Sequence, residues 1–125
     1  MSIILILAAA ASAGCAVPQT QSAMTTCAAN ELRRADAALN RGWATTYGAM
    51  KRRDAADTTR GGGPGYASSL LLAQRAWLEF RDRQCIVEGL AFAGGTMQPL
   101  AIAECRTRMT VDRTGQLAAL TKGHL

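Results

Sequence analysis

The chain has 125 residues, 49% of them apolar, and a formal net charge of +5. That is the length of one domain, too short for a TIM barrel or a two-domain enzyme. Alanine supplies 25 residues while Trp, Tyr and Phe supply two each, which favours close-packed helices over sheets.

The first recognisable element is the apolar stretch from Ile3 to Ala11, followed by the small-residue pattern Ala11-Ser12-Ala13. It reads as a signal peptide over residues 1–13, although no Lys or Arg precedes the apolar stretch. Cleavage after Ala13 leaves residues 14–125 as a single exported domain, periplasmic or extracellular. Ser12-Ala13-Gly14-Cys15 also has the look of a lipoprotein processing site. The large aliphatic residue usual three positions before the cysteine is absent. Lipidation would also leave Cys27 without a partner, so anchoring is the weaker expectation. No later run of 18 apolar residues occurs, and no transmembrane span is expected.

A helical pattern runs from about Ser22 to Arg53, with apolar residues at Met24, Ala28, Leu32, Ala35, Leu39, Trp43 and Met50. Steps of three, four or seven make one buried face. Asn30 and Glu31 offer a break or a second cap, which leaves one helix or two open. A Gly-rich loop follows at about 57–69, with Ser68 or Ser69 as the expected N-cap of the next helix. That helix is expected from about Leu70 to Leu90, with Leu70, Ala73, Trp77, Phe80 (or Arg81) and Gln84 on one face. Gly94-Gly95 marks a turn, and Pro99 suits the first turn of a last helix carrying Leu100, Ile102, Cys105, Met109, Leu117 and Leu120. The expected fold is all-α, a small bundle of three or four helices.

Four cysteines in a small exported chain point to two disulfides. Gly94-Gly95 sits midway between Cys85 and Cys105. A helical hairpin turning there brings these two to similar heights on facing helices, within disulfide reach. Cys15 and Cys27 are left to pair across the segment containing Pro18. Zinc is disfavoured because there is no C-x2-C and the one histidine is His124, near the carboxyl end. The same shortage of histidine argues against a catalytic cysteine or a Ser-His-Asp set. No P-loop and no H-E-x-x-H occurs. No enzyme activity, metal or cofactor is expected.

The segment Ala73-Gln74-Arg75-Ala76-Trp77-Leu78-Glu79-Phe80-Arg81-Asp82-Arg83-Gln84-Cys85 resembles the "AQRAWLxYRDxxC" segment of the LprI-like lysozyme-inhibitor family. Thr20 to Ala28 resembles that family's "TQxEMNxCA", Ala35 to Asn40 its "ADxxLN", and Gly94 to Pro99 its "GGSxxP". The resemblance covers roughly Cys15 to Leu120. It departs at Trp43, where the family usually has Tyr, at Ala23 and Thr25, and in a longer Gly-rich loop. It implies an exported, two-disulfide helical domain that binds a protein, a lysozyme by the family's description, and occludes the enzyme's cleft. The alternative is an envelope accessory domain that binds another protein or an anionic polymer. Oligomeric state is left open.

Several residues are candidates for contact with a partner. Trp77 and Arg81 are helical neighbours of types enriched at binding hot spots. The competing expectation is that Trp77 and Phe80 fill the core and that Arg81 pairs internally with Asp36 or Asp82. Asp36 and Asn40, one turn apart, either meet a partner or bond across a helix interface. Gln74 and Asp82 belong to the family-like motif as structural residues. Arg60 and Tyr66 flank the glycines and could enter a carboxylate-lined cleft. Of 14 basic residues 12 are Arg, and only Lys51-Arg52-Arg53 form a run. This reads as a solvated basic surface, with no specific nucleic acid as partner.

Overall fold

The computed structural model describes residues 15–57 and 62–122. The signal-peptide assignment to residues 1–13, Arg60 and His124 lie outside the described residues. Three long helices occur: α1 (Gln21–Ala56), α2 (Tyr66–Gly89) and α3 (Met97–Thr121), with a 3-10 turn at Leu90–Phe92. Two disulfides, Cys15–Cys27 and Cys85–Cys105, complete the expected all-α scaffold.

Thr20 starts α1, its Oγ1 accepting from Ala23 N at 3.0 Å, which supplies one orphan amide of the first turn. The helix then runs unbroken for 36 residues. Asn30 and Glu31 do not interrupt it, because both turn outward to arginines one turn on: Arg33 Nη1 donates to Asn30 Oδ1 at 2.7 Å, and Arg34 pairs with Glu31.

The second helix begins earlier than expected. Tyr66 is its first residue and Gly65 its cap position, so the loop ends at 65 rather than 69. Ser68 does not cap; its hydroxyl donates to Gly65 O at 3.2 Å from inside the first turn.

α1 and α3 run in the same direction and pack directly on each other, with α2 returning antiparallel against both. The register is fixed by Thr46 Oγ1 donating to Leu117 O at 2.9 Å across a buried contact. Near the other end, Thr25 of α1 and Pro99 of α3 line a shared groove. The main core cluster is Leu39, Met50, Ala67, Leu70 and Leu117, with Trp43, Tyr47, Trp77 and Leu120 packed on its edge. Trp43 and Tyr47 stack with ring centroids 5.0 Å apart.

The inner face of α2 differs from the expected one. Leu70, Gln74 and Cys85 are buried, whereas Ala73 and Phe80 face solvent and Gln84 is half-buried. Both Phe80 and Arg81 fit the spacing from Trp77. The arginine takes the inner position because acceptors on both neighbouring helices receive it there.

The turn before α3 uses Gly94 at φ 79, a left-handed conformation that suits glycine. Its N–H donates to Gln98 Oε1 at 3.2 Å. At Gly89, helices α2 and α3 approach so closely that a Cβ would lie 2.5 Å from Ile102 Cγ1. Gly89→Ala is therefore expected to cost about 1–3 kcal/mol through overpacking, despite alanine's better helix propensity. A urea titration checks this; a stabilised variant would contradict so close a contact.

Candidate protein-binding site

The end of the bundle where α1 hands over to α2 holds a groove of about 570 Å³. Its walls include Met50, Pro64, Gly65, Tyr66, Leu70 and Leu120. Asp54, in the last turn of α1, builds this end. Its Oδ1 accepts from Tyr66 N at 2.7 Å and its Oδ2 from Ala67 N at 3.0 Å. The carboxylate thus caps α2 across the loop and faces the positive end of the helix dipole. Gly65 permits the approach, since a Cβ there would sit 2.9 Å from Asp54 Oδ1. Asp54→Ala should lower stability by about 1–2 kcal/mol, visible as a fall of several degrees in melting temperature. An unchanged melting point would show that the cap contributes nothing.

Tyr66 is half-buried, and the Arg53 guanidinium lies over its ring with Cζ 5.6 Å from the centroid. Lys51 Nζ lies 4.5 Å from the Tyr47 centroid on the same end of α1. Lys51 and Arg52 are exposed. This end therefore combines an apolar groove, a tyrosine edge and three successive cations. The groove and the ring suit apolar side chains of a protein surface, and the cations suit acidic groups beside them.

Trp77 and Arg81 sit elsewhere and are engaged within the bundle. Only 12% of the Arg81 side chain is exposed. Its Nη1 donates to Asp36 Oδ1 at 3.1 Å and to Thr110 Oγ1 at 3.0 Å, and its Nε to Asp82 Oδ1 at 3.1 Å. Its guanidinium carbon lies 5.4 Å from the Trp77 ring centroid, and that of Arg113 lies 5.9 Å from the same ring. Arg113 Nε in turn donates to the buried Gln74 Oε1 at 2.9 Å. Burial lowers the Arg113 pKa from its ordinary value, yet an arginine remains cationic at any physiological pH. Arg106 Nε lies 3.4 Å from Asp82 Oδ1 and extends the ion network along α3. The network joins all three helices around Trp77. Asn40, one turn from Asp36, is exposed.

At the far end, a groove of about 390 Å³ lies beside the Cys15–Cys27 bridge, with Pro18, Met24, Leu100 and Arg108 among its walls. Cys85, Cys105 and Glu88 place two sulfurs and a carboxylate oxygen within 4.8 Å of one another, a spacing that suits metal ligands. Both sulfurs are spent on the bridge, and Glu88 Oε1 accepts from Arg108 Nη2 at 2.8 Å.

Met50 and Leu120, legible in the sequence only as apolar face positions, line this groove, and Asp54, which caps α2 beside it, is a residue that sequence reasoning did not single out. Asp54 carried a usable signal, an acidic residue closing a basic helix end just before a Gly-rich connection. Leu120 is legible as an apolar position of the last helix, but its place at this groove depends on the parallel register of α1 and α3.

A family model described as lysozyme inhibitor LprI matches residues 12–117. An uncharacterized protein of Rhizobium meliloti (strain 1021) is 33% identical over 107 residues, covering 85% of this chain and 77% of that protein. No solved structure matches the chain significantly.

Proposed function

The chain belongs to the lysozyme inhibitor LprI family, and from that premise we propose that it is an exported protein that binds lysozyme and blocks its cleft. The observation that carries this reading is the family match itself, which spans all four bridged cysteines and nearly the whole bundle. The family is an inhibitor family, so the chain's contribution is binding rather than chemistry. No helix among the described residues is long and apolar enough to cross a membrane. Export is part of the proposal and is supported by the apolar segment 3–11 and by two disulfides, which persist in oxidising compartments.

The proposed contact surface is the α1–α2 end. Glycosidase clefts carry two carboxylates, and arginine pairs with carboxylates in fork geometry. Arg53, whose guanidinium lies over the Tyr66 ring, and the exposed Arg52 next to it in sequence supply such groups, with Arg60 on the same connection in sequence. Local charge there favours an acidic cleft, although the +5 net charge slows encounter with a basic enzyme. The Asp54 cap holds this surface in one shape, which reduces the ordering cost of binding.

The Arg52→Glu/Arg53→Glu double variant tests this surface. The inhibition constant should rise at least about tenfold, a loss of ~1.4 kcal/mol, while thermal unfolding stays cooperative. Undiminished inhibition by the double variant would place the contact elsewhere on the molecule.

A further inference from the structure

The outward face of α2, apart from the surface proposed to meet the enzyme, carries a second pattern. Ala73, Ala76, Phe80, Arg83, Val87 and Leu90 follow one another in steps of three and four, and all six are exposed. The first five lie on α2 and Leu90 is its C-cap residue, still in right-handed helical conformation, so the six take the a and d positions of two and a half heptads along the face turned from the bundle. Phe80, Val87 and Leu90 keep 57%, 60% and 56% of their surface in solvent. A small domain with few large apolar side chains gains nothing by leaving three on one stripe unless something covers them.

The order of sizes along the stripe points to what covers it. The two small residues lie at its amino end, and the two aliphatic ones at its carboxyl end. We propose that two copies of this chain pair through α2 as an antiparallel helix pair. Turned end to end about a twofold axis between Phe80 and Arg83, the stripe meets itself large against small. Ala73 faces Leu90 of the second copy, Ala76 faces Val87, and Phe80 faces Arg83. Antiparallel coiled coils pair a with d in this way, and interhelical approach is closest where one side of the layer is alanine. A parallel pairing would instead stack Phe80 on Phe80 and Arg83 on Arg83, with voids at the alanines. Arg83 is already neutralised by Glu79, whose Oε1 accepts its Nε–H at 3.2 Å. Its guanidinium plane is therefore free to lie over the facing Phe80 ring at small electrostatic cost. The contact runs over about 26 Å of helix. It covers on the order of 1,000 Å² in total, the lower bound for a specific interface, so the dimer is weak and reversible. Self-affinity on the order of 10–100 µM is expected.

Sedimentation equilibrium of the oxidised chain between low micromolar and millimolar concentration tests the proposal. The native chain should move from one chain's mass toward twice that mass. Phe80→Glu should weaken association at least about tenfold. Ala76→Lys and Val87→Glu should each be monomeric alone, and an equimolar mixture should dimerise again. Only the antiparallel register brings Lys at 76 against Glu at 87. Far-UV circular dichroism and thermal unfolding verify that each variant is folded, as substitutions at exposed positions allow. Leu90→Lys replaces any variant that fails this check. Ala73, which also borders the Tyr66 groove, is left unchanged so that inhibition and association are read separately. A native chain still monomeric at millimolar concentration overturns the proposal. So does a dimer that survives Phe80→Glu, or a mixture that stays monomeric. Loss of lysozyme inhibition by a folded Phe80→Glu variant of a monomeric protein would assign the stripe to the enzyme instead.

Discussion

Replacing Cys85 and Cys105 together by alanine should lower the melting temperature by about 12 °C or more, the largest loss expected from any change considered for this protein. The bridge closes a loop of sequence separation 20. Freeing it returns roughly 3 kcal/mol of chain entropy to the unfolded state. The Cys15–Cys27 bridge has a separation of 12 and a nearly equal entropic value. The two differ in burial. Cys85 and Cys105 are 0% and 2% exposed, clamping α2 onto α3. Cys15 and Cys27 are half-buried at one end. Alanines at 85 and 105 therefore also leave unfilled space in the bundle, which adds a packing penalty that the outer bridge does not incur. Thermal unfolding of the two double variants, followed by circular dichroism, separates the terms. If the Cys15/Cys27 variant loses as much as the Cys85/Cys105 variant, the buried bridge is contributing chain entropy alone.

The second large effect is expected at Arg81. Arg81→Ala should cost about 2–4 kcal/mol. The guanidinium satisfies Asp36, Asp82 and Thr110 from one point and covers the Trp77 face. Without it, two carboxylates lose their shared partner. Both are about half-exposed, so water recovers part of the loss, and Asp82 retains Arg106. Asp36→Ala should lower the melting temperature by less, since Arg81 keeps its bonds to Asp82 and Thr110. A double-mutant cycle between Arg81 and Asp36 should give a coupling of about 1 kcal/mol. Strictly additive losses would mean that the 3.1 Å contact carries no net energy.

These two predictions also mark how far the sequence could be read. The helices, the hairpin at Gly94-Gly95 and both bridges follow from apolar spacing and from cysteine and glycine positions. Such signals are local or nearly so. The inner face of α2 was harder, because Phe80 and Arg81 fit Trp77 equally well by periodicity. Hydropathy favours the phenylalanine. The arginine wins because Asp36 on α1 and Thr110 on α3 converge on it, 45 residues before it and 29 after it. α2 starts earlier than its serines suggest, for a related reason. Local serines are good caps, but Asp54 reaches across from α1 and caps the helix earlier. Each discrepancy involves a polar group whose partner lies on another element. Of the groove residues, Tyr66 is legible from its place beside the glycines. The groove it borders depends on Leu120 arriving from α3.

Inhibition of lysozyme is the claim on which the functional account rests. The direct measurement is a titration of lysozyme activity with the oxidised, folded chain, against c-type, g-type and bacterial enzymes. The account predicts saturable loss of activity of at least one of them near equimolar inhibitor, weakened by the Arg52→Glu/Arg53→Glu variant. Full activity of every enzyme, in the presence of excess chain shown to be folded and bridged, would contradict it.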